Sequence, residues 1–175
     1  MSPKEIDGIV VIEDDTHFVE ILLRYITTAF GEDALALTET ISGSDAGIKG
    51  ALYLAQLGRS EQNFLIISDV SMPKLSGDVL LSHNAFTGNF DFVLVSAFHR
   101  SEIYPPENIV ITDGDERVSH DKTPLAPKSE LLEKHLINFI LFNKGKLPEG
   151  FFRRYLVNNF RLSKPHSHQS AVVSK

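Results

Sequence analysis

The sequence predicts an α/β fold in which a parallel sheet is covered by helices on both faces. Three observations lead to it. The apolar runs Gly8–Glu13, Phe64–Asp69 and Phe90–Val95 are short and bounded by turn residues, as buried parallel strands are. Stretches with helical apolar spacing separate them. Two of the runs end on carboxylates, Glu13-Asp14-Asp15 and Asp69, which puts acidic groups at the carboxyl edge of the sheet, where open α/β folds keep their chemistry.

In chain order, Gly8–Glu13 is the first strand. Thr16–Phe30 follows as a helix capped by Asp15 or Thr16, with Phe18, Ile21, Leu22, Tyr25 and Ala29 on one stripe. Ala34–Thr38 reads as the second strand. Ser42–Gly47 reads as a turn and cap, because it lacks the lysine and spacing of a phosphate loop. Ser44–Leu57 is the second helix, with Ile48, Ala51, Leu52 and Ala55 at core spacing and Gly58 as its stop. The third strand ends on Asp69, and a short helix over 77–86 follows Met72-Pro73 and Gly77. Phe90–Val95 is the fourth strand, Asn108–Thr112 is strand-like, and Lys128–Phe142 has the spacing of a last helix through Leu131, Leu132, His135, Leu136, Phe139 and Ile140.

If the first and third strands are neighbours, Glu13, Asp14 and Asp69 converge. Clustered carboxylates repel one another unless a hard cation holds them, and an all-oxygen donor set suits Mg²⁺.

The segments strand-Glu13-Asp14-Asp15, Asp69-Val70-Ser71-Met72-Pro73 with Gly77, and Phe92-Val-Leu-Val-Ser96-Ala97 stand in an order that resembles a response-regulator receiver domain, over roughly residues 6–140. The resemblance implies a doubly wound five-stranded sheet of flavodoxin-like order 2-1-3-4-5. It implies that Asp69 accepts a phosphoryl group from a histidine kinase or phosphotransfer protein. Glu13, Asp14, Asp69 and the Ser71 main-chain carbonyl would hold Mg²⁺, and the Ser96 hydroxyl would turn toward the acyl phosphate. Such a chain is a phosphoacceptor that signals to a downstream protein, and not an enzyme acting on a separate substrate.

Two departures from that pattern stand out. Tyr104-Pro-Pro106 and Asp113-Gly114 argue against an ordinary fourth helix, so that region is expected to be remodelled. The lysine that the resemblance requires after the fifth strand is displaced: Lys122, before Thr123-Pro124, is the preferred candidate, and Lys128 the alternative. A phosphorylation-independent interaction module of the same fold is therefore the competing reading. An aspartyl phosphatase is disfavoured, because its second acid would stand where this chain has Ser71.

The receiver is expected to span 1–143, an amphipathic helical extension 144–162, and a disordered tail 163–175. In the extension Phe151, Phe152, Tyr155 and Phe160 recur at helical spacing with Arg154 among them. They either pack back on the domain or form a surface for a partner or a second copy. Residues 1–143 carry a net charge of −12 and residues 144–175 one of +6, so the end is suited to an anionic contact, including the domain itself. The acidic domain argues against nucleic acid as the partner. No cysteine occurs, no apolar run is long enough to cross a membrane, and the polar start lacks a signal sequence, which together predict a cytoplasmic protein.

Overall fold

The computed structural model describes residues 2–84, 89–96, 109–113, 137–143 and 149–163. Its main sheet has six parallel strands: β2 (Gly8–Glu13), β3 (Thr38–Ser42), β4 (Phe64–Asp69), β5 (Phe90–Ser96), β6 (Ile109–Asp113) and β7 (Ile137–Asn143). Their spatial order is β3-β2-β4-β5-β7-β6. A separate two-stranded parallel sheet pairs β1 (Lys4–Ile6) with β8 (Phe160–Leu162). The helices are α1 (Thr16–Phe30), α2 (Ala46–Leu57), α3 (Gly77–Asn84) and α4 (Glu149–Asn159).

Alternation along the central strands divides two cores. Val10, Ile12, Phe64, Ile66, Phe92 and Leu94 face α2 and α3, with Ala46, Leu54, Leu80 and Leu81. Ile9, Val11, Leu65, Ile67, Val93 and Val95 face the other way, onto Leu22 and Ile26 of α1 and Phe152 and Leu156 of α4. The sheet is thus covered on both faces, as expected, and its first four positions follow the expected order.

Four expectations are corrected. The sheet has six strands, not five. Residues 34–37 belong to a 3₁₀ turn, Glu32–Leu37, and the strand begins at Thr38, where the ladder to Ile9 begins. The end of the predicted last helix is β7, which pairs with β5 through Val93↔Ile140 to Ser96↔Asn143 and so takes the fifth place in the sheet. The strand-like segment near Ile109 lies outside it, at the edge. On α2 the buried face is Ala46, Gly47, Gly50 and Leu54, whereas Ile48, Leu52 and Ala55 are exposed. Small residues face inward there because a Cβ at Gly47 would fall on the Leu75 carbonyl, and one at Gly50 would meet Ile12 Cδ1 at 2.9 Å. The proposed remodelled fourth-helix region, apart from β6, and the tail beyond Ser163 lie outside the described residues.

Residues 149–163 pack against the rest of the described structure. Phe152 and Leu156 are fully buried against α1, and the Tyr25 and Phe152 rings lie 5.7 Å apart. Beyond α4 the chain is extended rather than helical: the Ser163 amide donates to the Ile6 carbonyl, and Arg161 pairs with Glu5 at 3.0 Å. Arg161 of the basic end therefore meets the acidic domain itself. Phe152 and Phe160 cannot form a partner surface, because both are buried; Arg154 is exposed and Tyr155 half-buried, while the Phe151 side chain lies outside the described set. Among the described residues no helix is long and apolar enough to cross a membrane.

Candidate functional site

The site lies where β2 and β4 end together. Ile12 and Ser68 are register partners, so Glu13 and Asp69 follow side by side at the carboxyl edge. One carboxylate oxygen from each of Glu13, Asp14 and Asp69 lies within 4.8 Å of the others. Glu13 and Asp69 are buried, and Asp14 is half-buried. These are the three acids singled out from the sequence, and the fold brings them together.

Local turns set their aim. Glu13 Oε1 accepts from the Asp15 amide at 3.2 Å, and Asp15 Oδ1 accepts from the His17 amide at 2.9 Å as the N-cap of α1. One turn thus orients Glu13 and starts the helix. The Ser71 amide donates to Asp69 Oδ1 at 3.4 Å, and the exposed Ser71 lies just beyond the strand. Gly77 closes the following loop: its amide donates to the Val70 carbonyl at 2.8 Å, and a Cβ there would fall on the Asp69 carbonyl oxygen. Glycine is required at that position for close approach rather than for a special backbone angle.

Ser96 ends β5 one residue past Val95, the register partner of Asp69, so the strand carries it to the same edge. The preferred lysine Lys122 and its alternative Lys128 lie outside the described residues. With β7 in the fifth place, the residue following that strand in sequence is Lys144, which sequence reasoning did not single out. The available signal was Phe139-Ile-Leu-Phe-Asn-Lys144, an apolar run leading into lysine, which the helical spacing upstream concealed.

The donor set fits Mg²⁺. The three side-chain donors are carboxylates, they converge from two strand ends, and burying like charges at this separation is costly without a cation between them. Chemically, such a site can bring the Asp69 carboxylate to an incoming phosphoryl group while the neighbouring acids hold the ion.

No family model matches the chain, and no curated protein matches its sequence. Solved structures do. The response regulatory domain of protein mrkE from Klebsiella pneumoniae is 16% identical, covering 84% of this chain and 93% of its own, with a TM-score of 0.45. The phosphorylated cyanobacterial phytochrome response regulator RcpA is 15% identical, covering 87% and 89%, with a TM-score of 0.47. A CheY-like response regulator receiver domain protein from Methanospirillum hungatei JF-1 is 15% identical, covering 86% and 91%, with a TM-score of 0.40. At such identities the residues of the site, and not the likeness, carry a functional reading.

Proposed function

We propose that the chain is a phosphoacceptor of two-component signalling, taking a phosphoryl group on Asp69 with Mg²⁺ and changing its affinity for a protein partner in response. The observation that carries this reading is the convergence of Glu13, Asp14 and Asp69 at the ends of two adjacent parallel strands, with the loop that follows Asp69 closed tightly by Gly77.

In the reaction an Asp69 carboxylate oxygen attacks phosphorus in line. The new oxygen–phosphorus bond forms as the bond to the donor breaks, and the leaving group departs with the electron pair. The Ser71 amide holds the carboxylate in position, and the Asp15 amide does the same for Glu13. Glu13, Asp14, Asp69 and the Ser71 carbonyl would hold Mg²⁺, which when bound offsets charge on the phosphoryl oxygens. Ser96 and Lys144 are the groups we assign to the acyl phosphate: Ser96 is the last residue of the strand beside β4, and Lys144 follows β7 in sequence. The acyl phosphate carries about two negative charges where the carboxylate carried one, a net gain of about one, and these draw a hydroxyl and an ammonium inward. The donor would be a histidine kinase or phosphotransfer protein, and the chain would turn over no separate substrate.

A second reading, a module of the same fold that works without phosphorylation, is favoured by β6. That strand occupies the sheet edge beyond β7, on the side where a receiver would expose its fifth strand for readout.

Intact-protein mass after incubation with Mg²⁺ and acetyl phosphate separates the two. One phosphate adduct, absent from Asp69→Ala, is the expected result. Absence of any adduct from the wild-type protein would select the second reading.

A further inference from the structure

The loop that carries Asp69 into α3 is fastened to α2 by contacts that the phosphoryl chemistry does not itself require. The Lys74 ammonium meets the Asp45 carboxylate, joining the loop to the residue that precedes α2. Lys74 has φ 66°, and it is the one non-glycine with positive φ among the described residues. Glycine or asparagine adopts that conformation more readily than lysine, so the backbone alone gives no reason for lysine there. The next residue lies against the same helix end, since the Leu75 carbonyl fills the space where Gly47 would carry a Cβ. Asp45 occupies the N-cap place of α2 without making a side-chain cap hydrogen bond; its carboxylate is turned to Lys74 instead. The hydrogen bond and charge of Lys74 hold the Asp45 carboxyl below the usual carboxylate range.

We infer that Lys74 and Asp45 form a positioning clasp, which ties residues 70–76 to the start of α2 and thereby sets how readily the site at Asp69 takes Mg²⁺ and a phosphoryl group. The inference rests on the phosphoacceptor reading above. Neither residue touches the reacting atoms; each acts through the loop that holds Ser71 and ends at Gly77. Both side chains are exposed, and an exposed pair is ordinarily weak. Its effect belongs on the geometry of a short loop already fixed at Gly47 and Gly77, rather than on global stability.

The test compares the full chain with Lys74→Gly, Asp45→Asn, the double variant, Lys74→Arg and the exchanged pair Lys74→Asp/Asp45→Lys. The chain has no tryptophan, so Mg²⁺ binding is followed by amide chemical shifts of Asp14, Asp69 and Ser71, and phosphorylation by intact mass against acetyl phosphate concentration. Lys74→Gly relieves the left-handed backbone while removing the ammonium, which separates the clasp from simple loop strain. The expected result is a loss of about threefold to fivefold in Mg²⁺ affinity and phosphorylation rate for either single variant, the scale an exposed pair can supply. The double variant should be no worse than either single, and Lys74→Arg should restore the wild-type values. The wild-type advantage should shrink in about 1 M salt, where screening acts over about 3 Å.

Unchanged Mg²⁺ affinity and rate in Lys74→Gly, or losses that simply add in the double variant, would overturn the clasp while leaving Asp69 as the acceptor. A wild-type chain that binds Mg²⁺ but takes no phosphate would remove the acceptor reading, and the Mg²⁺ titrations would then decide the clasp alone. A wild-type chain that does neither overturns both.

Discussion

Glu13 and Asp69 are 0% and 3% exposed, and each is within reach of a third carboxylate. A carboxylate so placed would be poorly tolerated as mere surface chemistry, so its neighbours have to supply hydrogen bonds or a cation. Gly77 shows how little room surrounds Asp69. A methyl group there would fall on the Asp69 carbonyl and lie 2.8 Å from Ser68 Oγ, both parts of the buried strand end. Gly77→Ala is expected to destabilise the fold by roughly 1–3 kcal/mol in urea denaturation, in the range of overpacking a rigid site, and to slow phosphorylation of the fraction that folds. Much of this was legible early. Acids at the ends of apolar runs, the Asp15 cap and the glycine after Met-Pro are local signals, and each keeps its place in the structure. That the run before Lys144 is a strand was not legible, because a short apolar run fits a helix as well.

At the scale of elements, α4 and β8 complete the core on the α1 side. Phe152 has no exposed surface, and Phe152→Ala should cost about 3–5 kcal/mol, read as a lower urea midpoint with an unchanged slope. Were the segment a separate extension serving a partner, the midpoint would stay put. Tyr155 offers a second check on the same packing. Burial, with the Asp91 charge nearby, pushes its phenol up to about 12. The neutral phenol is the form the fold favours, so this contribution is fully present below pH 10. It declines between pH 10 and 12, where the unfolded chain loses the proton first, on the order of 2 kcal/mol in all. Tyr155→Phe should flatten the fall in stability over that window, in denaturation curves taken at several alkaline pH values. Lys4 pairs with Asp91 at 2.6 Å, and Lys4→Met is the control that separates the part of that ion pair.

For the whole molecule, Mg²⁺ should act as a ligand of the native state. At about a hundred times its dissociation constant the stabilisation is about 2.7 kcal/mol, which in a chain of this size corresponds to a rise of roughly 5–10 °C in Tm. Glu13→Gln is expected to weaken Mg²⁺ binding about tenfold, since it deletes one charge from the ligand set, which at the same Mg²⁺ concentration leaves about 1.4 kcal/mol and removes about half of that shift. A thermal shift equal in wild type and variant would place the ion elsewhere. The sequence by itself determined the parallel α/β class, the acids that end the runs of β2 and β4, and the helix over Thr16–Phe30, because alternation, turn residues and caps are written in adjacent positions. Only the tertiary structure decided three other matters: that 137–143 is a strand beside β5, that the second strand begins at Thr38, and that Phe152 and Phe160 are core. A short apolar run fits a helix or a strand about equally well until a partner strand takes up its backbone hydrogen bonds. An aromatic stripe likewise has no inside or outside until another helix lies against it.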